Sequence, residues 1–305
     1  MIDVAIIGGG PAALGAALYA ARSGMSVTVF EKKFVGGQAS TTYEIDNYLG
    51  FSDAPSGSAL AEKMAEHVSK FDVKFRYNEI KNVDLSGDIK KLFTAKKDFE
   101  AKSVILAMGA SPALLNAPGE AELQGKGVSY CATCDGMFFK DKTVCVVGGG
   151  NTAVEDAIYL APIAKKVYII HRRNEFRASP LLVERLKKFN NVEFLLECRV
   201  AKIEGSDHVK SVTISHLDGK EEKILTDGVF VAVGINPSSE LVKDIVKCNE
   251  GGFILTDEDK KTSIPGVFAA GDIRNKNLRQ VITAVSDGAI AGEEAAKYVN
   301  ALQTN

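Results

Sequence analysis

The chain has 305 residues, is 46% hydrophobic and 25% charged, and carries a net charge of −2. That length suits about two domains with real cores, and the near-neutral balance offers neither a basic surface for nucleic acid nor an acidic tail. No apolar run reaches the roughly 18 residues a membrane span needs, so neither nucleic acid nor a membrane is an expected partner.

Met1-Ile2-Asp3-Val4 runs straight into an apolar segment with no basic region ahead of it, so no secretory signal is expected. Residues 4–33 then read as a strand, a glycine turn at Gly8-Gly9-Gly10, a helix rich in small residues and a second strand, which is a βαβ unit. Lys102–Gly109 reads as the strand that closes this half, and the proline-bearing Ala110–Pro118 follows as a linker candidate. Next come Cys131-Ala132-Thr133-Cys134 and Asp135-Gly136. Residues 144–173 then align on 4–33 without a gap, with a second turn at Gly148-Gly149-Gly150. Asp227–Gly234 closes the second half, and Ile235–Ser239 is the second linker candidate. A strand over Ile264–Asp272 and a helix over 280–299 end the chain. The pattern is α/β, with two Rossmann-like dinucleotide-binding domains. One comprises 1–112 and 242–305, and 113–241 is inserted within it. Cys145, Cys198 and Cys248 stand alone on apparent strand or helix positions. Five cysteines with one close pair suit a cytoplasmic protein, not a disulfide framework.

Each glycine turn has a mechanical reading. Gly8 and Gly148 make the tight turn, Gly10 and Gly150 let the backbone approach a pyrophosphate, and Ala13 and Ala153 let helix and strand pack closely. The phosphates would sit at the helix N-terminus, where unsatisfied N–H groups point outward. The two copies differ where a ribose is read. Glu31 ends the second strand of copy one, and an acid there bonds a 2′-hydroxyl and repels a 2′-phosphate. The counterpart in copy two is His171, followed by Arg172, Arg173 and, one turn on, Arg177; guanidinium groups bind phosphate by several charge-assisted hydrogen bonds. Copy one therefore suits an adenosine without a 2′-phosphate, such as that of FAD, and copy two suits NADPH.

Two residues between cysteines is the spacing of a redox-active disulfide, in which one thiolate attacks a disulfide and the other thiol resolves the mixed disulfide. Zinc and a pair of reduced core cysteines are the other readings. Zinc lacks here the second cysteine pair that would complete four ligands, so no metal is expected. Asp135 beside the pair can exchange a proton with a thiolate leaving group, or can simply belong to an Asp-Gly turn.

The combination of GGGPAA, GGQ at 36–38, CATCDG, GGGNTAVED, HRRxxFR and AAGD followed by RQV at 279–281 resembles the bacterial low-molecular-weight thioredoxin reductases over essentially the full length. The resemblance implies a homodimeric flavoprotein oxidoreductase that passes hydride from NADPH to FAD, then reduces the Cys131–Cys134 disulfide and finally thioredoxin. It implies that Cys134 faces the flavin, that Cys131 attacks thioredoxin and that Asp135 is the acid/base. For FAD it points to Gly8, Gly10, Pro11, Ala12, Glu31, Lys32, Gly37, Gln38, Asn47, Gly109, Asp272, Arg279, Gln280 and Val281. For NADPH it points to Gly150, Asn151, Thr152, Ala153, Glu155, His171, Arg172, Arg173, Arg177 and Ile235. Asn151 and Asn174 stand where that pattern usually has Asp, and neither change removes a phosphate ligand. A reductase serving another small dithiol protein, glutaredoxin-like or a peroxiredoxin, is the neighbouring enzyme reading. Relatives serving peroxiredoxins usually carry an extra N-terminal module, whereas the first strand here begins at residue 2. A flavin-binding redox sensor without turnover is the reading of a different class, and intact Cys131, Cys134 and Asp135 argue against it.

Overall fold

A computed structural model describes residues 1–42 and 44–304. In chain order the first strands and helices are β1 (Ile2–Ile7), α1 (Pro11–Arg22), β2 (Val27–Phe30), α2 (Gly57–Ser69), β3 (Lys74–Arg76), β4 (Ile80–Asp84), β5 (Lys90–Thr94), β6 (Asp98–Leu106) and β7 (Ala110–Pro112). They continue with β8 (Val128–Ser129), α3 (Ala132–Asp135), β9 (Thr143–Val147), α4 (Asn151–Leu160), β10 (Lys166–His171), α5 (Pro180–Leu186), β11 (Val192–Leu196), β12 (Cys198–Gly205), β13 (Val209–His216), β14 (Glu221–Leu225) and β15 (Gly228–Val231). The last are β16 (Ile235–Pro237), β17 (Val267–Ala269) and α6 (Val281–Thr304).

The chain forms two compact units, residues 1–111 with 236–305 and residues 112–235. The return to the first unit comes earlier than the 241/242 boundary drawn from the sequence. The reason is apolar: Val242 and Val246 are buried among Ile254, Val267 and Ile273 of the first unit. In that unit β2 and β6 flank β1 in parallel, β3 extends the sheet beyond β2, and β17 lies parallel to the C-terminal half of β6. The N-terminal half of β6 continues instead into the antiparallel pair β5 and β4. The expected strand over 264–272 is shorter, because residues 264–266 form a bend and turn before it and residues 271–273 coil into a 3₁₀ turn after it.

Helix α6 docks on α1 through small residues. A Cβ on Gly288 would stand 2.1 Å from the Ala12 carbonyl oxygen, one on Gly292 2.4 Å from that of Ala16, and one on Gly15 2.7 Å from that of Val285. Backbone therefore packs on backbone, and any side chain at these positions would separate the helices. This contact brings the start of α6 beside the first turn of α1.

In the second unit the sheet order is β11-β10-β9-β15-β8, all parallel, and β12, β13 and β14 form a separate antiparallel sheet. The internal repeat is physical: β9, α4 and β10 stand in the second unit as β1, α1 and β2 do in the first. Cys145 lies in β9 and Cys198 in β12 as expected, but Cys248 lies outside the regular elements, in a single bridge to Ile254.

Candidate functional site

In the first unit, β1 runs into a turn that only glycine can make. Gly8 has φ +109°, and a Cβ there would stand 2.3 Å from the Ala107 carbonyl oxygen. At Gly9 a Cβ would meet the Glu31 side chain at 2.9 Å, so Glu31 lies directly over the turn, with one carboxylate oxygen accepting the Lys33 amide at 2.7 Å. Gly10 is the N-cap of α1 in extended conformation and no side chain caps it; Pro11 follows at the first helical position. The remaining early amides of α1 thus have no intrahelical acceptor. Gly37, with φ +56°, approaches so closely that its Cβ would stand 3.1 Å from the Gly10 Cα.

Gly271, with φ +81°, brings Asp272 to the same place: a Cβ on Gly271 would lie 2.8 Å from the Ala12 Cβ. Among the described residues, Asp272 Oδ1 is a buried side-chain oxygen with no hydrogen-bond partner. Burial raises its carboxyl above the ordinary range. Arg279 lies over the Phe253 ring at 4.4 Å and donates to the carbonyls of Asp272 and Arg274 at 3.5 and 3.4 Å. Asn47 donates to the Gln280 side chain at 3.1 Å, and Gln38 to Ser111 at 3.3 Å. Lys32 is exposed beyond Glu31, Gly109 follows β6 with φ +69°, and Val281 opens α6. A buried network that the sequence reading missed fastens the segment. Asp287 accepts from the Gly271 amide at 3.2 Å, from Arg274 at 2.7 Å and from Lys276 at 2.9 Å.

The second unit repeats this plan with different side chains. Gly148 has φ +153°, and its Cβ would stand 2.3 Å from the Ala232 carbonyl oxygen and 2.7 Å from the Ala153 Cβ. His171 lies over Gly149 as Glu31 lies over Gly9, its ring 2.1 Å from where a Cβ would be. Even the backbone contact recurs: Gly36 N–H donates to Gly9 O at 2.8 Å, and Arg177 N–H to Gly149 O at 2.7 Å. Gly150 is an uncapped N-cap with open space around its Cβ position.

His171 is packed into the unit. It is 5% exposed, stacks on Phe176 at 5.3 Å and uses Nε2 on the Glu175 carbonyl at 3.1 Å. Burial and the neighbouring arginines hold it below the usual histidine range, so the ring is neutral and Nε2–H donates. Arg172, Arg173 and Arg177 are exposed, and none forms an ion pair among the described residues. Asn151 at the start of α4 accepts the Ser179 amide at 2.8 Å, which ties the loop after the arginines to that helix. Thr152 and Glu155 are exposed on α4, Ala153 is buried, and Ile235 is the last residue of the unit.

Cys131 and Cys134 form a disulfide, with S–S 2.05 Å and Cα atoms 5.2 Å apart. Cys131 is the N-cap of α3, and its carbonyl accepts the amides of Cys134 and Asp135 at 3.2 and 3.1 Å. Ala132 packs with Ala153, Val154 and Ala157, so α3 rests on α4. Gly136 must lack a side chain there, since its Cβ would meet Tyr159 and Leu160 at 2.9 and 3.0 Å. Ser129 donates to Asp135 Oδ2 at 2.6 Å and accepts the Cys131 amide at 3.1 Å. Tyr130 donates to Glu120 at 3.0 Å; this carboxylate, 3% exposed, also accepts the amides of Leu115 and Asn116 at 3.0 and 2.7 Å. On α4, burial and then the Glu155 charge push Asp156 up to about 7. The other cysteines are poor nucleophiles: burial pushes Cys145 up to about 12 and raises Cys198 and Cys248.

The sequence matches the family described as pyridine nucleotide-disulphide oxidoreductase over residues 2–288. It is 47% identical over 306 aligned positions to a thioredoxin reductase of Peptoclostridium acidaminophilum, covering 98% of this chain and 97% of that one. The crystal structure of thioredoxin reductase from Streptococcus pyogenes MGAS5005 superposes with a TM-score of 0.95 at 46% identity, covering 99% of both chains. The thioredoxin reductase of Giardia duodenalis superposes at 0.93 with 34% identity, covering 98% of this chain and 99% of that one.

Proposed function

Because this chain belongs to the pyridine nucleotide-disulphide oxidoreductases, and among them to the thioredoxin reductases, we propose that it is an NADPH-dependent flavoenzyme that reduces thioredoxin through the Cys131–Cys134 pair. The observation that carries the reading is that disulfide, at the start of α3, in a chain whose two βαβ units each turn at glycine into an uncapped helix.

The residues fit both nucleotides. Two features support FAD in the first unit: the buried oxygen of Asp272, without a partner among the described residues and suited to accept from a ribityl hydroxyl, and the close approach of Gly37 to Gly10, which a Cβ on Gly37 would obstruct. The start of α1, with Gly8, Gly10, Pro11 and Ala12, would hold its pyrophosphate, and Glu31 its adenosine ribose. Lys32, Gln38, Asn47, Gly109, Arg279, Gln280 and Val281 complete that proposed set. The open space at Gly150 and three arginines without ion pairs among the described residues support NADPH in the second unit. Asn151, Thr152, Ala153, Glu155 and Ile235 belong to the same proposal, with His171 as the floor of the turn. Held by these two sets of residues, NADPH and FAD would supply the two-electron reduction of the Cys131–Cys134 disulfide.

The chain's own residues then divide the work. Cys131 attacks the substrate disulfide, Cys134 resolves the mixed disulfide, and Asp135 moves the proton. The resemblance also supports a homodimer, which sedimentation would test. Three thiols outside the pair suit a cytoplasmic location; no helix among the described residues is long and apolar enough to cross a membrane. Cys134→Ser tests the core of the proposal. This variant keeps bound flavin and NADPH-driven bleaching of its absorbance but loses thioredoxin reduction; retained turnover with thioredoxin refutes the role of Cys134.

A further inference from the structure

We infer that Ser129 is a positioning residue for the proton transfer that accompanies disulfide exchange. The inference rests on the reading of Asp135 as proton donor and adds the group that aims it. Ser129 is 5% exposed, at the end of β8, and lies outside the CxxC motif. Its hydroxyl closes a small ring of hydrogen bonds. The Cys131 amide donates to Ser129 Oγ at 3.1 Å, Ser129 donates to Asp135 Oδ2 at 2.6 Å, and the Asp135 amide donates to the Cys131 carbonyl at 3.1 Å. The ring fastens both ends of α3 to β8. It also fixes one carboxylate oxygen of Asp135. A hydroxyl suits this position because it donates to Oδ2 both when Asp135 is ionised and when Asp135 carries its proton on the other oxygen, so Asp135 keeps one orientation in both protonation states.

The exchange balances with the groups at hand. The Cys131 thiolate attacks the near sulfur of the acceptor disulfide; a new S–S bond forms, the acceptor bond breaks, and its electron pair leaves on the far sulfur. That sulfur takes a proton from Asp135, which regains one from the Cys134 thiol. The Cys134 thiolate then attacks Cys131 Sγ, closing the enzyme disulfide and releasing the second acceptor sulfur, which is protonated by water. The enzyme dithiol is oxidised and the acceptor disulfide is reduced to a dithiol.

An aryl leaving group separates positioning from general damage, since a low-pKa thiolate departs without a proton. The holoenzyme is reduced with dithiothreitol, desalted anaerobically and mixed in a stopped-flow cell with cystamine or with dithiobis(nitrobenzoate). Ser129→Ala, and Ser129→Gly as a second variant lacking the hydroxyl, slow the cystamine reaction roughly tenfold or more. Both leave the aryl reaction within about twofold, and Ser129→Thr restores the cystamine rate. Asp135→Asn shows the same selectivity, and adding S129A to it costs nothing further. The inference is overturned if S129A reacts at the wild-type rate while D135N is slow, if S129A slows both disulfides equally, or if its effect adds to that of D135N. Wild-type reactivity in D135N would instead remove the acid/base reading itself.

Discussion

Removing the carboxylate of Asp287 is predicted to unfasten the Gly271–Asp272 turn. Asp287 is paired with Arg274 at 2.7 Å and Lys276 at 2.9 Å, and the three side chains are only 11–12% exposed. Water therefore screens them little, and the surface-pair value of under about 1 kcal/mol does not apply. In Asp287→Ala two cations stay largely buried without a counter-ion, and the Gly271 amide loses its acceptor. Breaking a buried pair by removing one partner costs about 3–5 kcal/mol, a large share of a typical total of roughly 5–15 kcal/mol. Urea denaturation followed by circular dichroism at neutral pH should give a loss in that range. Bound flavin should be released more readily, because Asp272 is no longer held beside α1. A triple replacement, D287L with R274M and K276M, should recover most of the stability, since an apolar set of similar volume need not desolvate charge. A loss below about 1 kcal/mol in D287A, in the range of an exposed pair, would refute the claim that this network is buried and holds the turn.

Replacing Arg172 and Arg173 with Ala should raise KM for NADPH far more than for NADH, because each lost charge-assisted contact is worth about 1.5–3 kcal/mol; equal effects on both cofactors in steady-state assays would place the 2′-phosphate elsewhere. Gly149→Ala drives a methyl into the His171 ring, 2.1 Å from the new Cβ, and overpacking of this kind costs about 1–3 kcal/mol; His171→Ala in the same chain should restore urea stability, and failure to do so would show that the clash is not with that ring. Asp156, pushed up from 3.8 to about 7 in the folded chain, stays protonated there while the unfolded chain ionises, so its contribution to stability is progressively lost as pH rises from about 4 to about 7. Asp156→Asn should therefore gain stability relative to wild type across that interval, and a difference independent of pH would contradict the assignment.

Much of this architecture is legible in the sequence because it is written in local periodicity. The two βαβ units align residue for residue, and the glycine turns, the CxxC spacing and the acid-versus-arginine contrast after the second strand all lie within short windows. What escaped were partners brought together by the fold. Glu120, just beyond the linker candidate that ends at Pro118, carries no local signal, yet it is buried and bonded to Tyr130 and the Leu115–Asn116 backbone. Ser129 and Asp287 acquire their partners only when strand meets helix or loop meets helix. His171, placed at the ribose position by the repeat, also fills the space that Gly149 leaves open, a relation visible only in three dimensions. The compact units part at 235/236 where the sequence suggests 241/242, because proline and glycine mark turns, whereas the burial of Val242 and Val246 decides to which core the next segment belongs.

The most direct test of the central claim is an anaerobic titration of the purified protein with NADPH, and separately NADH, followed by its host's thioredoxin. The account predicts bleaching of flavin absorbance by NADPH near stoichiometric amounts, much weaker bleaching by NADH, and recovery of the oxidised spectrum on adding oxidised thioredoxin. No bleaching with NADPH would contradict the arginine reading, and bleaching without recovery would contradict thioredoxin as the acceptor.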